Sequence, residues 1–182
     1  MNRIILTFAA YGLLSCSVKD SSTPDSTVAK IDSSTTNIPA DKNFILIEDF
    51  EETKNTFRPD TFELYDQSTD GGQLIAFHTK DKDYLVLDIW LFGETQKIHA
   101  TYWTDKHLNL KIVKQTNYVY DKPYYEEGYK TKETTEFYSY LDDSCKIYDA
   151  EREEIKDSDN STKEKKIRDF FTDVTKDIQI IK

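Results

Sequence analysis

The stretch YLVLDIWLF, from Tyr84 to Phe92, decides the fold of this chain because its apolar residues alternate with a period of two. In a β-strand, successive side chains point to opposite faces of the sheet. One face of this strand carries only aliphatic side chains, those of Leu85, Leu87, Ile89 and Leu91. The opposite face is also largely apolar and carries Tyr84, Val86, Asp88, Trp90 and Phe92. A strand that is apolar on both faces indicates a central strand with a cover on each side.

Shorter alternating segments flank this strand and are separated from it by turn residues. Gln73 to Thr79 precedes it, and Ile98 to Trp103 and then Leu108 to Tyr120 follow it. The segments 100–115 and 135–150 share one layout, an aromatic strand, an acidic turn and a second strand with Lys-Ile. Two copies are too few for a repeat architecture, so we interpret them as consecutive hairpins. The pattern predicts an antiparallel meander sheet of about five to seven strands.

Two segments at the ends of this region have helical periodicity. Asn43 to Phe57 is compatible with a short helix, although its opening FILI is equally compatible with a strand. The segment Ser161 to Lys182 begins with Ser-Thr-Lys-Glu, which is the pattern of a capping box. The apolar side chains after it share one face of a helix: Ile167, Phe170, Phe171, Val174, Ile178 and Ile181. A C-terminal amphipathic helix packed on an antiparallel sheet predicts an α+β fold.

The chain begins with MNRIILTFAAYGLLSCSVKD, in which a basic residue precedes a short apolar run that ends at a cysteine. The run from Ile4 to Leu14 is shorter than the roughly 20 residues of a membrane-spanning helix. It fits the apolar region of a secretory signal peptide, with a buried N-terminal helix as the alternative interpretation. Its end, Leu13-Leu14-Ser15-Cys16, resembles the lipobox of bacterial lipoproteins. The resemblance implies a signal peptide over residues 1–15, cleavage before Cys16 and lipidation of the Cys16 thiol.

Acyl chains on Cys16 would hold the protein on a membrane without crossing it, since two or more chains anchor a protein durably. The resemblance therefore implies a cell-envelope protein, lipid-anchored on the periplasmic face or at the cell surface. Residues 16–40 are rich in Ser, Thr and Asp and contain no aromatic residue. Such a segment buries too little apolar surface to fold, so we interpret it as a flexible stalk. Residues 41–182 then form a single globular domain.

The composition excludes some classes of partner. The chain has 34 acidic and 24 basic side chains and a net charge of −10. Because nucleic-acid binding requires a basic surface, we predict no nucleic-acid partner. An acidic excess favours solubility, and the alternative interpretation is a surface for cations or a basic partner. The two cysteines are Cys16 and Cys145, so lipidation of Cys16 excludes an intramolecular disulfide, and we expect Cys145 to pack as a small apolar strand residue.

Sequence motifs for phosphate loops, dinucleotides, zinc proteases or serine hydrolases do not occur, and we predict no cofactor. Carboxylates are concentrated between Asp142 and Asp159, and Asp157-x-Asp159-x-Ser161 has a superficial likeness to a calcium loop. It lacks the glycine and the closing glutamate of an EF-hand. We therefore favour a solvated loop and predict no metal site. A carboxylate pair for glycoside hydrolysis stays an open alternative, because the distance between the two groups determines that chemistry.

Aromatic residues are the second concentration of informative side chains, and many of them are tyrosines. Tyr and Trp anchor binding interfaces, but they also stabilise ordinary cross-strand pairs. Rings on a connection between hairpins have less reason to be buried than rings within a strand. We therefore select Tyr124, Tyr125 and Tyr129 as candidate ligand-binding residues, together with Trp103.

The segments STDGGQLIAFHT and LFGETQKIHATYW, with the tyrosine-rich hairpin after them, are similar to small exported lipoproteins of the Bacteroidetes type. The likeness covers about Ser68 to Tyr125 and implies no activity and no catalytic residue. Two hypotheses about function remain. The first is a non-enzymatic, membrane-anchored module that binds an envelope protein, peptide or glycan, and the absence of catalytic motifs favours it. The second is an envelope hydrolase of glycans or peptides that uses paired carboxylates.

Overall fold

The computed structural model describes residues 41–141 and 144–176, which form one antiparallel sheet and two α-helices. The first helix, α1, spans Phe44–Thr53 and continues as a 3₁₀ turn over Lys54–Thr56. The strands are β1 Arg58–Leu64, β2 Gly72–His78, β3 Tyr84–Phe92, β4 Gln96–Asp105, β5 Leu110–Tyr120, β6 Thr131–Leu141 and β7 Ser144–Tyr148. The second helix, α2, spans Asn160–Lys176. The predicted α+β fold, a meander sheet with a C-terminal helix, is confirmed.

Some predicted features lie outside the described residues. These are the signal peptide 1–15, Cys16 and the rest of segment 16–40, the acidic pair Asp142 and Asp143, and the last two apolar positions of the helical stripe, Ile178 and Ile181.

The seven strands lie in the sheet in the same order as in the chain. Strand β3 pairs with β2 on one side and with β4 on the other, so it is an interior strand, as its two-sided apolar pattern predicts. The two predicted hairpins correspond to the pairs β4–β5 and β6–β7. Every neighbouring pair in the sheet is therefore also a neighbouring pair in sequence.

One face of the sheet packs against α2 and holds a largely aliphatic core. Leu87 and Ile89 of β3 lie on this face and are almost completely buried. The side chains that α2 contributes are members of the predicted stripe: Ile167, Phe171 and Val174. Tyr102 of β4 stacks on Phe171, with ring centroids 5.2 Å apart. Covering this face is the structural role of the C-terminal helix.

The opposite face packs against α1 and holds a largely aromatic core. The buried side chains of the helix are Phe44, Ile47 and Phe50. Three aromatic rings surround Phe50 in edge-to-face geometry, at centroid distances of 5.3–6.1 Å: Phe57, Phe77 and Trp103. Contacts of this kind add about 0.5–1.5 kcal/mol each beyond the burial of apolar area. The short helix is thus held mainly by aromatic packing.

Polar contacts bond the N-terminus of α1 to the last strands of the sheet. The Nδ2 group of Asn43 lies 2.9 Å from the Ser139 hydroxyl oxygen and 3.0 Å from the Tyr140 carbonyl oxygen. The Tyr148 hydroxyl donates to the Asp41 carboxylate at 3.1 Å, and the same carboxylate accepts from the backbone N–H of Asn43 at 3.0 Å. The three buried contacts with the strands join residues that are 96 to 107 positions apart in the chain.

Strand β1 has no counterpart among the predicted strands, because Pro59 occupies its second position. A proline cannot donate a hydrogen bond to a neighbouring strand, so it is normally confined to sheet edges. The strand β1 is an edge strand, paired with β2 alone. The proline therefore ends the helical segment, as expected, but permits a strand immediately afterwards.

Helix α2 begins one residue earlier than predicted, at Asn160. The backbone N–H groups of Thr162 and Lys163 both donate to the carbonyl oxygen of Asp159 at 3.0 Å. Ser161 is thus inside the helix, and the predicted capping box is not formed. The Glu164 carboxylate instead pairs with the Arg168 guanidinium one turn later.

Candidate functional site

The sheet face that carries α1 is only partly covered by that helix. Val86 and Trp103 are paired across β3 and β4 and are buried under α1. Trp90 lies on the same face of β3, four residues after Val86, but outside that core, and it is partly exposed. Its neighbours on this open part of the face are also partly or fully exposed. We call this set the aromatic strip, and it consists of Trp90, Phe92, Lys97, His99 and Tyr118.

The geometry of the aromatic strip follows from the strand register. Trp90 pairs with His99 across β3 and β4, and their rings stack with centroids 3.8 Å apart and an interplanar angle of 8°. In the next row, Lys97 pairs with Phe92 on one side and with Tyr118 on the other. The Lys97 ammonium lies 4.8 Å from the Trp90 ring centre and 4.6 Å from that of Tyr118. The Tyr118 ring is inclined by only 18° to that of Trp90, so the rings are nearly parallel.

Asp88 fixes the orientation of His99 in the strip. The carboxylate lies 2.6 Å from His99 Nε2 and accepts a hydrogen bond of 2.7 Å from the Thr101 hydroxyl. Burial opposes ionisation of Asp88, but the hydrogen bonds from His99 and Thr101 outweigh it and lower the pKa of this carboxyl. Within the described residues, Asp88 is the hydrogen-bond partner of the His99 side chain, and no hydroxyl group is bonded to the His99 ring. The pair therefore orients a ring and does not form a catalytic triad.

The tyrosine loop, residues 121–130 between β5 and β6, carries three of the predicted binding residues. They are 51%, 63% and 42% exposed, in the order Tyr124, Tyr125 and Tyr129. Tyr129 meets Tyr120 of β5 edge-to-face at 5.2 Å, and the backbone N–H of Tyr124 donates to the Glu94 carbonyl oxygen at 3.0 Å. The loop is thus attached to the β3–β4 turn, next to the strip. The structure brings these three tyrosines together at one end of the sheet.

Carboxylates lie near Tyr125, although the tyrosine loop also carries Lys122 and Lys130. The pKa of the Tyr125 hydroxyl is raised, first by the Glu94 carboxylate and then by partial burial and by Glu126. Negative neighbours have this effect because they disfavour the phenolate. The exposed ring of Tyr125 therefore lies close to negative charges, which is suited to a positively charged group.

Trp103, the fourth predicted binding residue, does not belong to this surface. Its side chain is 1% exposed and lies under α1, against Phe50. A ligand at the sheet surface has no access to it, so the structure removes Trp103 from the candidate residues. The period of two places Trp103 on the same face of its strand as His99, but it does not indicate which end of that face the helix covers.

Phe92, Lys97 and His99 are not among the residues that the sequence predicts for binding. Alternation within β3 assigns Phe92 to the Trp90 face, and the register of β4 against β3 adds Lys97 and His99. Their proximity depends on the pairing of β3 with β4, which a β3–β4 turn of three residues, Gly93 to Thr95, could have indicated.

The partly buried carboxylates on both faces are bonded to basic or hydroxyl groups. Asp49 accepts from Lys82 at 2.7 Å and from Tyr84 at 2.5 Å, and these bonds lower its pKa. Glu136 accepts from Lys163 at 2.8 Å. Among the described residues, no group of three His, Cys, Asp or Glu side chains is arranged to hold a metal ion.

Cys145 lies in β7 and is partly buried against the core on the α2 side. Burial raises the pKa of its thiol to about 11. The thiol is therefore protonated at neutral pH and packs as a small apolar group, as predicted.

Comparisons with protein-family models, with curated proteins and with solved structures return no match to this chain. Neither α1 nor α2, the two helices of the described residues, has the length and apolar character needed to cross a membrane. The site itself is therefore the basis for the functional inference.

Proposed function

We propose that this protein is a membrane-anchored binding protein of the cell envelope whose partner contacts the tyrosine loop and the aromatic strip. The supporting observation is the position of the exposed rings. Of the seven large apolar side chains that are exposed in the described residues, six lie at the end of the sheet that carries the β3–β4 turn and the tyrosine loop: Tyr65, Phe92, Val119, Tyr124, Tyr125 and Tyr129. Tyrosine combines a large apolar area with a hydrogen-bonding group, which is why it is frequent at binding hot spots.

The preferred partner is a protein or peptide that presents basic side chains. The carboxylates of Glu94 and Glu126 near Tyr125 attract such groups. An exposed tyrosine ring in contact with a Lys or Arg side chain adds about 0.5–1 kcal/mol through the cation–π interaction. The net charge of the whole chain, −10, would also accelerate the association of a basic partner.

A glycan is the second candidate ligand, and the aromatic strip favours it. The rings of Trp90, Phe92 and Tyr118 are nearly parallel and stand on a flat sheet, where the apolar C–H faces of sugars could contact them. Glycan binding would be almost insensitive to salt. Binding of a basic protein would weaken as the salt concentration rises, because ions screen exposed charges over about 10 Å at 0.1 M.

The hydrolase alternative receives less support from the described carboxylates. A general acid in glycoside hydrolysis needs a raised pKa so that it remains protonated. The described aspartates with a shifted pKa all have it lowered, namely Asp49, Asp60, Asp88, Asp105 and Asp157. Hydrogen bonds from neighbouring donors are among the causes in each case.

The binding surface is tested with the immobilised full chain and an envelope extract. We expect replacement of Tyr124, Tyr125 and Tyr129 by Ala to reduce the captured partner at least about tenfold, the effect of losing one or two hot-spot residues. The control is Ile45→Ala. Ile45 is 63% exposed and lies on α1, whose start is bonded to the opposite end of the sheet. Equal capture by the triple variant and the control would contradict the proposed surface.

The proposed anchor is tested by metabolic labelling with a palmitate analogue and by membrane fractionation. Because only the Cys16 thiol can accept the diacylglycerol of a lipobox protein, Cys16→Ser should abolish the label and release the protein from the membrane. Cys145→Ser is the matched control and should retain both. Label on the Cys16→Ser variant would contradict the lipoprotein proposal.

A further inference from the structure

Helix α2 leaves space between itself and the sheet. A cavity of about 400 Å³ lies there, within the range of about 300–1,000 Å³ that is usual for small-molecule sites. Its floor consists of Ile89, Leu91, Ile98 and Ala100 from β3 and β4, and α2 contributes Ile167 and Phe170. This part of the cavity is apolar.

A second hollow, of about 570 Å³, lies beside the β3–β4 turn and shares Leu91 and Ile98 with the first. The two hollows are therefore neighbours along the sheet. A chain-like apolar group on the floor of the cavity would extend toward the second hollow.

The other wall of the cavity is polar and rich in hydrogen-bond donors. Both oxygens of the Glu136 carboxylate are already occupied, one by Lys163 at 2.8 Å and the other by the Tyr138 hydroxyl at 2.7 Å. Lys163 keeps further N–H groups, and its bond to Glu136 raises the pKa of its ammonium. Lys166 adds a second positive charge to the same wall. The exposed carboxylates of Asp157 and Asp159 also lie near Lys163. What the wall offers an acidic ligand is therefore the ammonium donors of Lys163 and Lys166, because both oxygens of Glu136 are already bonded.

The hydroxyl of Tyr102 is an independent indication of a ligand. Tyr102 lines the cavity, is completely buried, and its hydroxyl has no hydrogen-bond partner within the described residues. Buried side-chain polar groups are normally paired. Burial also raises the pKa of this hydroxyl, which is therefore protonated and able to donate.

We propose that the cavity binds a long-chain carboxylic acid. The hydrocarbon chain lies on Ile98 and the other aliphatic side chains of the floor. The carboxylate accepts hydrogen bonds from Lys163, Lys166 and the Tyr102 hydroxyl. This site is on the sheet face opposite the aromatic strip, so the proposal is independent of the partner-binding surface.

The test is a fluorescence titration of the full chain with cis-parinaric acid, a long-chain acid whose emission increases in an apolar site. We expect saturable binding, displaced by palmitate and much less by 1-hexadecanol, which lacks the carboxylate. Tyr102→Phe removes one hydrogen bond to a charged group and should weaken binding about tenfold. The matched control is Tyr140→Phe. The Tyr140 hydroxyl is also buried without a partner in the described residues, but it lines a different hollow, so affinity should not change.

Two further variants keep the test decisive. Ala100→Leu fills the floor and should abolish binding, and Lys166→Gln, at an exposed position, should weaken it even if the first variant fails to fold. The proposal is overturned by an absence of saturable binding, by equal displacement with palmitate and hexadecanol, or by equal effects of Tyr102→Phe and Tyr140→Phe. Binding that appears only after deletion of residues 177–182 would also overturn it, because the chain's own C-terminus would then be the occupant.

Discussion

The two faces of the sheet are covered in different ways. On one face, the ten-residue helix α1 packs three buried side chains into a dense group of aromatic rings and bonds Asn43 to β6. On the other face, the seventeen-residue helix α2 covers a longer aliphatic surface but leaves hollows along its sides. Two tyrosines under α2, Tyr102 and Tyr140, have buried hydroxyls without partners in the described residues.

The two helices therefore leave part of their sheet face available for binding in different ways. Under α1 the packing is close, and the open surface begins where the short helix ends. Under α2 the helix runs over the face but is not in contact with all of it. The first arrangement exposes a flat surface that suits a macromolecule, and the second leaves a cavity that suits a small molecule. The predictions below compare the two covers, beginning with the largest effect.

Phe171→Asp should have the largest effect on stability. Phe171 is 7% exposed and stacks on Tyr102, so the substitution places an unpaired charge in the core. That costs several kcal/mol, against a total stability of about 5–15 kcal/mol. We expect a largely unfolded protein in a thermal melt followed by circular dichroism. The control, Thr172→Asp at the exposed neighbouring position, should melt like the wild type. An unchanged transition for Phe171→Asp would show that α2 does not stabilise the sheet.

Phe50→Ala and Phe171→Ala compare the two covers directly. Phe50 is surrounded by aromatic rings on the α1 side, so its truncation should reduce the free energy of unfolding by about 3–5 kcal/mol. Phe171 lines a hollow, so part of its ring has no packing partner, and we expect its truncation to remove fewer contacts. We expect the smaller loss for Phe171→Ala in urea titrations. A larger loss there would mean that α2 is packed as closely as α1.

Tyr148→Phe should lower the free energy of unfolding, whereas Tyr102→Phe should leave it unchanged or raise it slightly. The Tyr148 hydroxyl donates to Asp41 beside α1, and its removal should cost about 1 kcal/mol. The Tyr102 hydroxyl has no partner in the described residues, so its removal should leave the stability unchanged or slightly higher. Urea titration of both variants in the absence of ligand checks this, and a comparable loss in each would show that Tyr102 has an internal partner.

The smallest effect concerns acid stability. The pKa of Asp88 is lowered in the folded protein, so its contribution to stability is present above the pKa of an unfolded aspartate, about 3.9, and is lost as the pH falls through the folded-state value. Asp88→Asn removes this dependence. We expect its free energy of unfolding to decline less than that of the wild type below about pH 4, in urea titrations at several pH values. Asp66→Asn, on the exposed β1–β2 connection, is the control. If the free energy of unfolding of Asp88→Asn declined with falling pH in parallel with that of the wild type, the prediction would be contradicted.

Much of the fold could be predicted because its signals are local. The alternation from Tyr84 to Phe92 predicts both the strand and its two covers, and the apolar stripe that includes Ile167 and Phe171 predicts the second cover. Strand β1 was not predicted because Pro59 is normally compatible with a strand only at a sheet edge. Whether a strand lies at an edge depends on the arrangement of the whole sheet and not on the local sequence.

The site was less predictable, as the two tryptophans illustrate. Trp90 and Trp103 lie on the same sheet face, and one is in the open strip while the other is under α1. Which of them is covered depends on the length of α1 and on where its N-terminus is bonded. The hydrophobic periodicity of the sequence predicts neither. The loop tyrosines were predictable because a connection between hairpins lies at the surface regardless of how the helices pack.

The bonds between the N-terminus of α1 and the last strands have a kinetic consequence. Sequential strand order gives mostly short-range contacts, which favour rapid assembly of the sheet. The contact of Asn43 with Ser139, by contrast, joins residues 96 positions apart, and the entropic cost of closing this long loop is offset only once β6 is in place. We therefore expect Asn43→Ala to accelerate unfolding and to leave the refolding rate nearly unchanged in stopped-flow measurements. During synthesis, the first helix emerges early and can pack on β2 and β4, but the hydrogen bonds at its N-terminus form only when the last strands have been made.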